Sequence, residues 1–244
     1  MGYSNSPLVT YTKLSPNHSG FRIHTIERIT PHCVVGQCSV EVLGDIFAPE
    51  SRKASSNYGI GTDGRIAMYV EEKNRSWCSS SYENDQRAVT IECASDTTDP
   101  YAMNEKVYES LVTLCADICR RNGKKRLLWI SDKNTALAYQ PKEDEMLLTV
   151  HRWFANKSCP GDWLYYRLGD LAQKVTELLS TQETAGIPGD GNIPHDWAKE
   201  AFAWAVSKGI LKGSSAGKAD YRLNDPVTRE EMLVFLYRAN GGKG

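Results

Sequence analysis

Several features that would mark common classes of protein are missing from this 244-residue chain. Lysine and arginine (29 together) are balanced by aspartate and glutamate (30 together), and the formal net charge is −1. Because nucleic-acid-binding proteins usually carry a basic excess, the composition argues against that class. No apolar run approaches the roughly 18 residues of a membrane helix, and the first six residues are polar. We therefore expect synthesis in the cytoplasm without a signal peptide.

A disulfide framework is also missing. The seven cysteines are an odd number scattered over the whole chain, so reduced thiols are expected. Cys115 and Cys119 lie four residues apart in an amphipathic helix predicted over 104–121. The apolar stripe around them is aliphatic, and we therefore assign both thiols to the core rather than to a metal.

The chain is long enough for one domain of ordinary size and a second, small one. A Gly/Pro/Thr-rich stretch at 181–191 predicts a linker, which divides the chain into 1–180 and 192–244. Within the first part we expect strands and helices to alternate. The predicted strands are 21–30, 88–94 and 127–130, with a hairpin over 55–70; the predicted helices are 40–47, 104–121 and 162–179; a long loop is predicted over 131–145.

The segment from His151 to Gly161 gathers two possible metal ligands and a cation. His151 and Cys159 are eight residues apart, and Lys157 precedes the cysteine by two. Imidazole and thiolate suit zinc, and a catalytic zinc site needs only three protein ligands. Pro160-Gly161 predicts a turn that brings Cys159 back toward His151. The same spacing also fits a buried histidine and a free cysteine that bind no metal.

Two further residues are candidates on chemical grounds. His32 follows the predicted first strand, and we prefer it to Cys33 because neighbours in an extended chain point to opposite faces. Glu92 lies near the end of the apolar strand 88–94. A carboxylate buried there would need a partner or a metal, although an exposed strand face would also explain it.

These residues together carry a family resemblance. A histidine after the first strand, a glutamate ending a middle strand and the late motif His-x5-Lys-x-Cys-Pro-Gly resemble the type 2 N-acetylmuramoyl-L-alanine amidases. These are the zinc amidases of phage endolysins and autolysins, related in fold to peptidoglycan-recognition proteins. The resemblance covers about residues 20 to 179, and the stretches 55–64 and 89–92 are similar to clostridial prophage endolysins. It implies an α/β domain with a central mixed sheet flanked by helices.

The resemblance also assigns roles to the candidate residues. It implies that His32, His151 and Cys159 bind Zn²⁺, that Glu92 is the general base and that Lys157 stabilises the oxyanion. Zinc would lower the pKa of a bound water and polarise the amide that joins N-acetylmuramic acid to L-alanine in peptidoglycan. The implied activity is bacteriolytic, and it would reach the cell wall after holin-type release.

Two positions of the first domain stay open. Many members have a histidine before the hairpin tyrosine, whereas this chain has Asn57-Tyr58, and some phage enzymes use a tyrosine where Ser56 stands here. A catalytic role for Tyr58 is therefore in doubt. Trp77, in a polar loop, fits either stacking on a sugar ring or packing in the core.

The tail resembles one S-layer homology repeat. Residues 197–213 and 225–238 predict a helix, a loop and a helix, and Thr228-Arg229-Glu230-Glu231 is the most recognisable part. Modules of that family bind cell-wall polysaccharide and usually come in threes. Because about 50 residues bury little core, we expect the tail to self-associate or to pack on the first domain.

Two other functions are compatible with parts of this pattern. A non-catalytic peptidoglycan receptor of the same fold is the main alternative, but such receptors have lost a zinc ligand. A structural surface protein anchored by its tail is a weaker one, since the chain shows no signal peptide.

Overall fold

The computed structural model describes residues 3–185, 194, 198–210 and 233–234, with side chains to residue 180 in the first range. The chain divides into two compact units, Met1–Gln182 and Glu183–Gly244. Among the described residues, no helix combines the length and the apolar character needed to cross a membrane.

The first unit is built on a seven-stranded mixed sheet in the order β1-β5-β4-β7-β3-β9-β8, beside a two-stranded antiparallel sheet of β2 and β6. Only β4 and β5 are antiparallel neighbours in the large sheet, and the other pairs are parallel. The strands are β1 (Val9–Thr12), β2 (His18–Phe21), β3 (Arg28–Cys33), β4 (Tyr58–Ile60), β5 (Ile66–Met68), β6 (Asn74–Ser76), β7 (Ala88–Cys93), β8 (Arg126–Leu128) and β9 (Glu145–Leu148).

Helices accompany this sheet, and the arrangement confirms the expected α/β fold with a central mixed sheet. The helices of the first unit are α1 (Val40–Phe47), α2 (Tyr82–Arg87), α3 (Glu105–Arg121), α4 (Lys133–Ala138), α5 (Asp162–Tyr165) and α6 (Leu168–Ala185). In the second unit, α7 (Lys199–Ser207) lies within the first helix predicted for the tail. Most of the second, 225–238, lies outside the described residues.

Helix α3 shows why these residues form a packed layer. The side chain of Asn104 accepts a hydrogen bond from the backbone N–H of Val107 and caps the first turn. The apolar residues then recur at intervals of three and four, so that one face is buried. Cys115 and Cys119 are fully buried on that face, which confirms their assignment to the core.

The pairing of β3 with β7 positions the residues at the carboxyl ends of these strands. The two strands are parallel, and His32 lies directly opposite Glu92 in the register. Residues opposite each other on neighbouring strands project from the same face of a sheet. The fold therefore puts an imidazole beside a carboxylate although sixty residues separate them in the chain.

Three element predictions were wrong in detail. The stretch 21–30 is not one strand: β2 ends at Phe21 and β3 begins at Arg28, so His32 lies within a strand rather than after it. Arg22, the first residue of the interruption, turns inward and donates hydrogen bonds to Asn57 and to the backbone carbonyl oxygen of Glu72.

The other two errors concern helices. The predicted loop 131–145 contains α4, whose first turn is capped by Asp132 through the backbone N–H of Thr135. The predicted helix 162–179 is divided into α5 and α6 at Tyr166-Arg167, just before Gly169 in the first turn of α6. Helix α6 runs on to Ala185, so the first residues of the predicted linker are helical, and 186–191 lie outside the described residues.

Tyr58 has a structural position. Its side chain is fully buried, and its hydroxyl donates to Glu72 Oε1 at 2.6 Å and accepts from the backbone N–H of Ser6 at 2.8 Å. Glu72 is itself buried and binds the guanidinium of Arg121 at 2.6 Å. This network ties the amino-terminal segment, the hairpin and α3 together, because a buried carboxylate is stable only when it is paired and hydrogen-bonded.

We expect Tyr58→Phe to lower the free energy of unfolding by about 1–3 kcal/mol, because the substitution leaves a buried carboxylate and a buried N–H with one partner fewer. Chemical denaturation measures this directly. The control is Tyr11→Phe, since the Tyr11 hydroxyl makes no hydrogen bond within the described part of the chain. Equal stability of the wild type and the Tyr58 variant would show that the network contributes nothing.

Candidate functional site

A groove opens beside the carboxyl ends of β3 and β7 and has a volume of about 840 Å³. Most of its other lining residues come from α1, from the turn after it at residues 52–55, from residues 75–85 and from the segment 151–159, and Tyr101 adds a further side chain. Because loops gather where parallel strands end, this edge of the sheet can bring together residues that are distant in the sequence.

Three possible metal ligands converge in this groove. One ligand atom each of His32, His151 and Cys159 lies within 4.8 Å of the others. Cys159 Sγ is 3.2 Å from His32 Nδ1, and the two imidazole rings have their centroids 5.1 Å apart. The structure thus brings together the three residues that the sequence indicated as zinc ligands.

Each of the three is held by a different element. His32 is fully buried in β3, and His151, the third residue after β9, begins a short 3-10 turn. Cys159 lies in a turn that folds back, with the Arg152 N–H donating to the Cys159 carbonyl oxygen at 3.1 Å. The Ser80 hydroxyl is 2.9 Å from His151 Nε2 and orients that ring.

The chemistry of the donor set fits a zinc ion. Burial, together with the neighbouring His151, lowers the pKa of His32 to about 3, so its imidazole is neutral at pH 7, as a metal ligand must be. Its Nε2 and Glu92 Oε2 are buried without a hydrogen-bond partner in the described part of the chain. Burial raises the pKa of the Cys159 thiol, and a cation at this point is the natural means of ionising it.

Glu92 stands beside these ligands with Oε1 4.0 Å from His32 Nδ1. Burial raises the pKa of Glu92 to about 7, against the opposing effects of a hydrogen bond from Cys78 and the positive charge of Arg52. A carboxyl group that titrates near neutrality can both take and release a proton at physiological pH.

Cys78 is a site residue that sequence reasoning missed. Its Sγ donates to Glu92 Oε1 at 3.7 Å, and a ligand atom of Cys78 lies within 4.8 Å of those of His32 and Glu92. Asp85 fixes this part of the loop by accepting hydrogen bonds from the backbone N–H groups of Cys78 and Ser79. No spacing in the sequence signals Cys78, because only the fold brings its loop over β7.

The remaining candidates are distributed as follows. Lys157 is exposed and lines the groove. Trp77 also lines it, half-buried, with its indole N–H donating to the Ser19 hydroxyl at 2.6 Å. Cys33 is buried in the core, as expected, but it also lines the groove, where its side chain interacts with that of Cys159. Tyr58 is not among the groove-lining residues, since its hydroxyl is bound to Glu72.

Comparison with solved structures shows the same fold elsewhere. A selenomethionine derivative of AmpD matches with a TM-score of 0.51 and 17% identity, over 70% of this chain and 99% of that one. PlyL matches with a TM-score of 0.46 and 15% identity, over 68% of this chain and 95% of that one. The endolysin amidase LysCS from Clostridium intestinale URNW gives 0.44 and 13%, over 66% and 95%.

Comparison of the sequence with protein families is more decisive. No curated protein matches the chain. The S-layer homology domain family matches residues 193–233. The family described as N-acetylmuramoyl-L-alanine amidase matches residues 22–162, which include His32, Glu92, His151, Lys157 and Cys159. Because this match covers more than half of the chain, the protein belongs to the N-acetylmuramoyl-L-alanine amidase family.

Proposed function

We propose that this protein is a zinc-dependent amidase that hydrolyses the bond between N-acetylmuramic acid and L-alanine in peptidoglycan. Family membership supports the amidase activity. The observation that carries the proposal is the convergence of His32, His151 and Cys159 at one end of a groove, with Glu92 beside them. Two neutral imidazoles and a thiolate leave a fourth position open, as catalytic zinc sites require.

A zinc ion held by these three residues would supply Lewis-acid activation of the attacking water and of the amide carbonyl. Glu92 would take a proton from that water and pass it to the leaving nitrogen, a role that suits a carboxyl group with a pKa of about 7. Lys157, on the exposed side of the groove, would bring its ammonium group to the oxyanion that forms at the carbonyl carbon.

The carboxyl-terminal part would direct this activity to the cell wall. We assign residues 1–180 to catalysis, 181–191 to a linker and 192–244 to binding of cell-wall polysaccharide, supported by the match of 193–233 to the S-layer homology domain. A bacteriolytic, endolysin-type role after holin-type release agrees with this arrangement. Self-association of the tail would supply the apolar contacts that one short module cannot make within itself.

Metal analysis tests the ligand set. We expect about one zinc ion per wild-type chain, and a loss of most of it in His32→Ala, His151→Ala and Cys159→Ala, because each substitution removes one of only three protein ligands. His24→Ala is the control, since His24 is exposed and does not line the groove. Full zinc content in any of the three variants would remove that residue from the ligand set.

Glu92→Gln tests the general base. The amide cannot accept a proton, so we expect the release of new L-alanine amino termini from purified walls to fall by about 10²–10⁴-fold while zinc is retained. Glu109→Gln, on the exposed face of α3, is the matched control. Activity that survives in Glu92→Gln would contradict the assignment, and zinc without amine release in the wild type would favour the peptidoglycan receptor instead.

Lys157→Met tests the stabilisation of the oxyanion. We expect kcat to fall by about 10²–10³-fold with little change in KM, because the charge is needed only when the negative oxygen forms. Lys106→Met, on the exposed face of α3, serves as the control. A variant that changes KM alone would place Lys157 in substrate binding.

A further inference from the structure

The wall of the groove carries an unbalanced positive charge. Four cationic residues line it, and the acidic residues that line it are Asp85 and Glu92. The four cationic residues are Arg52, Lys53, Arg75 and Lys157. Neither carboxylate pairs with these cations. Asp85 is buried and accepts a hydrogen bond from the backbone N–H of Cys78, and Glu92 lies beside the proposed zinc ligand His32. A chain with a net charge of −1 therefore concentrates positive charge where the substrate would bind.

Three of these cations, Arg52, Lys53 and Lys157, have side chains without a hydrogen bond or an ion pair to any described residue. The side chains of Arg52 and Lys53 are exposed. By contrast, the guanidinium of Arg75 stacks on the ring of Tyr82 at 4.3 Å, and Lys13 pairs with Asp45 on nearby α1. Arg52 and Lys53 differ from Lys157 in being neighbours in the chain, so two unpaired positive charges lie side by side at this point of the groove.

The turn that carries this pair is defined by the backbone. Residues Glu50–Arg52 form a single 3-10 turn after α1, and Lys53 closes it with a φ of 50°. Glycine or asparagine is the usual residue in this left-handed conformation. The sequence has a lysine there, which places two successive cations at the rim of the groove.

Arg52 lines the same groove as the reacting groups. Both Arg52 and Glu92 border this space of about 840 Å³, Arg52 from the turn after α1 and Glu92 from the end of β7. An anion bound by Arg52 would therefore lie in the same groove as the amide that Glu92 serves. An N-acetylated sugar is uncharged except at its lactyl carboxyl, which is consumed in the scissile amide, so the anion must come from the peptide.

We propose that Arg52 and Lys53 form a carboxylate-binding site that selects substrates whose peptide carries a free carboxylate near the scissile amide. This inference rests on the proposed amidase function and names the feature of the substrate that the groove recognises. A guanidinium matches a carboxylate through two parallel N–H donors, and the adjacent ammonium adds a second charge.

The test uses two synthetic substrates, N-acetylmuramoyl-L-alanyl-D-glutamic acid with both carboxyl groups free and the same compound with both amidated. We expect wild-type kcat/KM to be higher for the free acid, and this preference to fall with ionic strength. Arg52→Gln and Lys53→Gln should each reduce the ratio of the two kcat/KM values by about fivefold, the effect of one exposed ion pair. Lys133→Gln, a residue of α4 that does not line the groove, removes the same charge as a control.

The outcomes separate this inference from the proposed function. Equal kcat/KM for the two substrates in the wild type, or variants that lower both values by the same factor, would overturn the carboxylate site and leave the amidase intact. If the wild type cleaves neither compound, the amidase proposal fails. In that case the carboxylate site is tested by measuring the affinity of the wild type for both compounds by calorimetry. Equal affinities would overturn the carboxylate site as well.

Discussion

The parallel register of β3 and β7 is the constraint on which the rest of the site depends. It fixes His32 opposite Glu92 on two buried strands, so the distance between imidazole and carboxylate is set by backbone hydrogen bonds rather than by flexible loops. His151 and Cys159 lie in the segment after β9, outside the sheet, and this segment brings the Cys159 thiol to 3.2 Å from His32 Nδ1. A site built in this way keeps its geometry because moving it would require breaking the sheet.

Burial gives the same residues their chemical character. Removal of water lowers the pKa of His32 and raises those of Glu92 and Cys159, so each of these groups is uncharged or close to neutrality without a cation. Burying polar atoms in this way lowers the stability of the fold unless hydrogen bonds or a bound ion compensate for the lost contact with water. The proposed zinc ion would provide that compensation, and its charge would ionise the thiol and attract the carboxylate.

The groove therefore has two zones that differ in their exposure to water. Its floor, at the ends of β3 and β7, is largely buried, and electrostatic interactions there are stronger than at an exposed surface. Its rim, at Arg52 and Lys53, is exposed to water, where charge contributes selectivity and a faster encounter rather than strong binding. The loop between β6 and α2 contributes to the same groove: Asp85 accepts a hydrogen bond from the Cys78 N–H, the Cys78 thiol donates to Glu92, and Trp77 is a further lining residue.

The sequence by itself determined the elements whose signals are local. The stripe of α3 with its Asn104 cap, the hairpin at Asp63-Gly64 and helix α1 follow from periodicity, capping and turn chemistry, which neighbouring residues decide. The motif from His151 to Gly161 and the residues His32 and Glu92 were also readable, through their resemblance to one family. Tertiary structure alone decided what depends on distant contacts: the end of β2 at Phe21, the position of Cys78 beside Glu92, the engagement of Tyr58 by Glu72, and the lack of a partner for Arg52 and Lys53. Each of these is set by residues that are far apart in the chain, and no local pattern encodes such a contact.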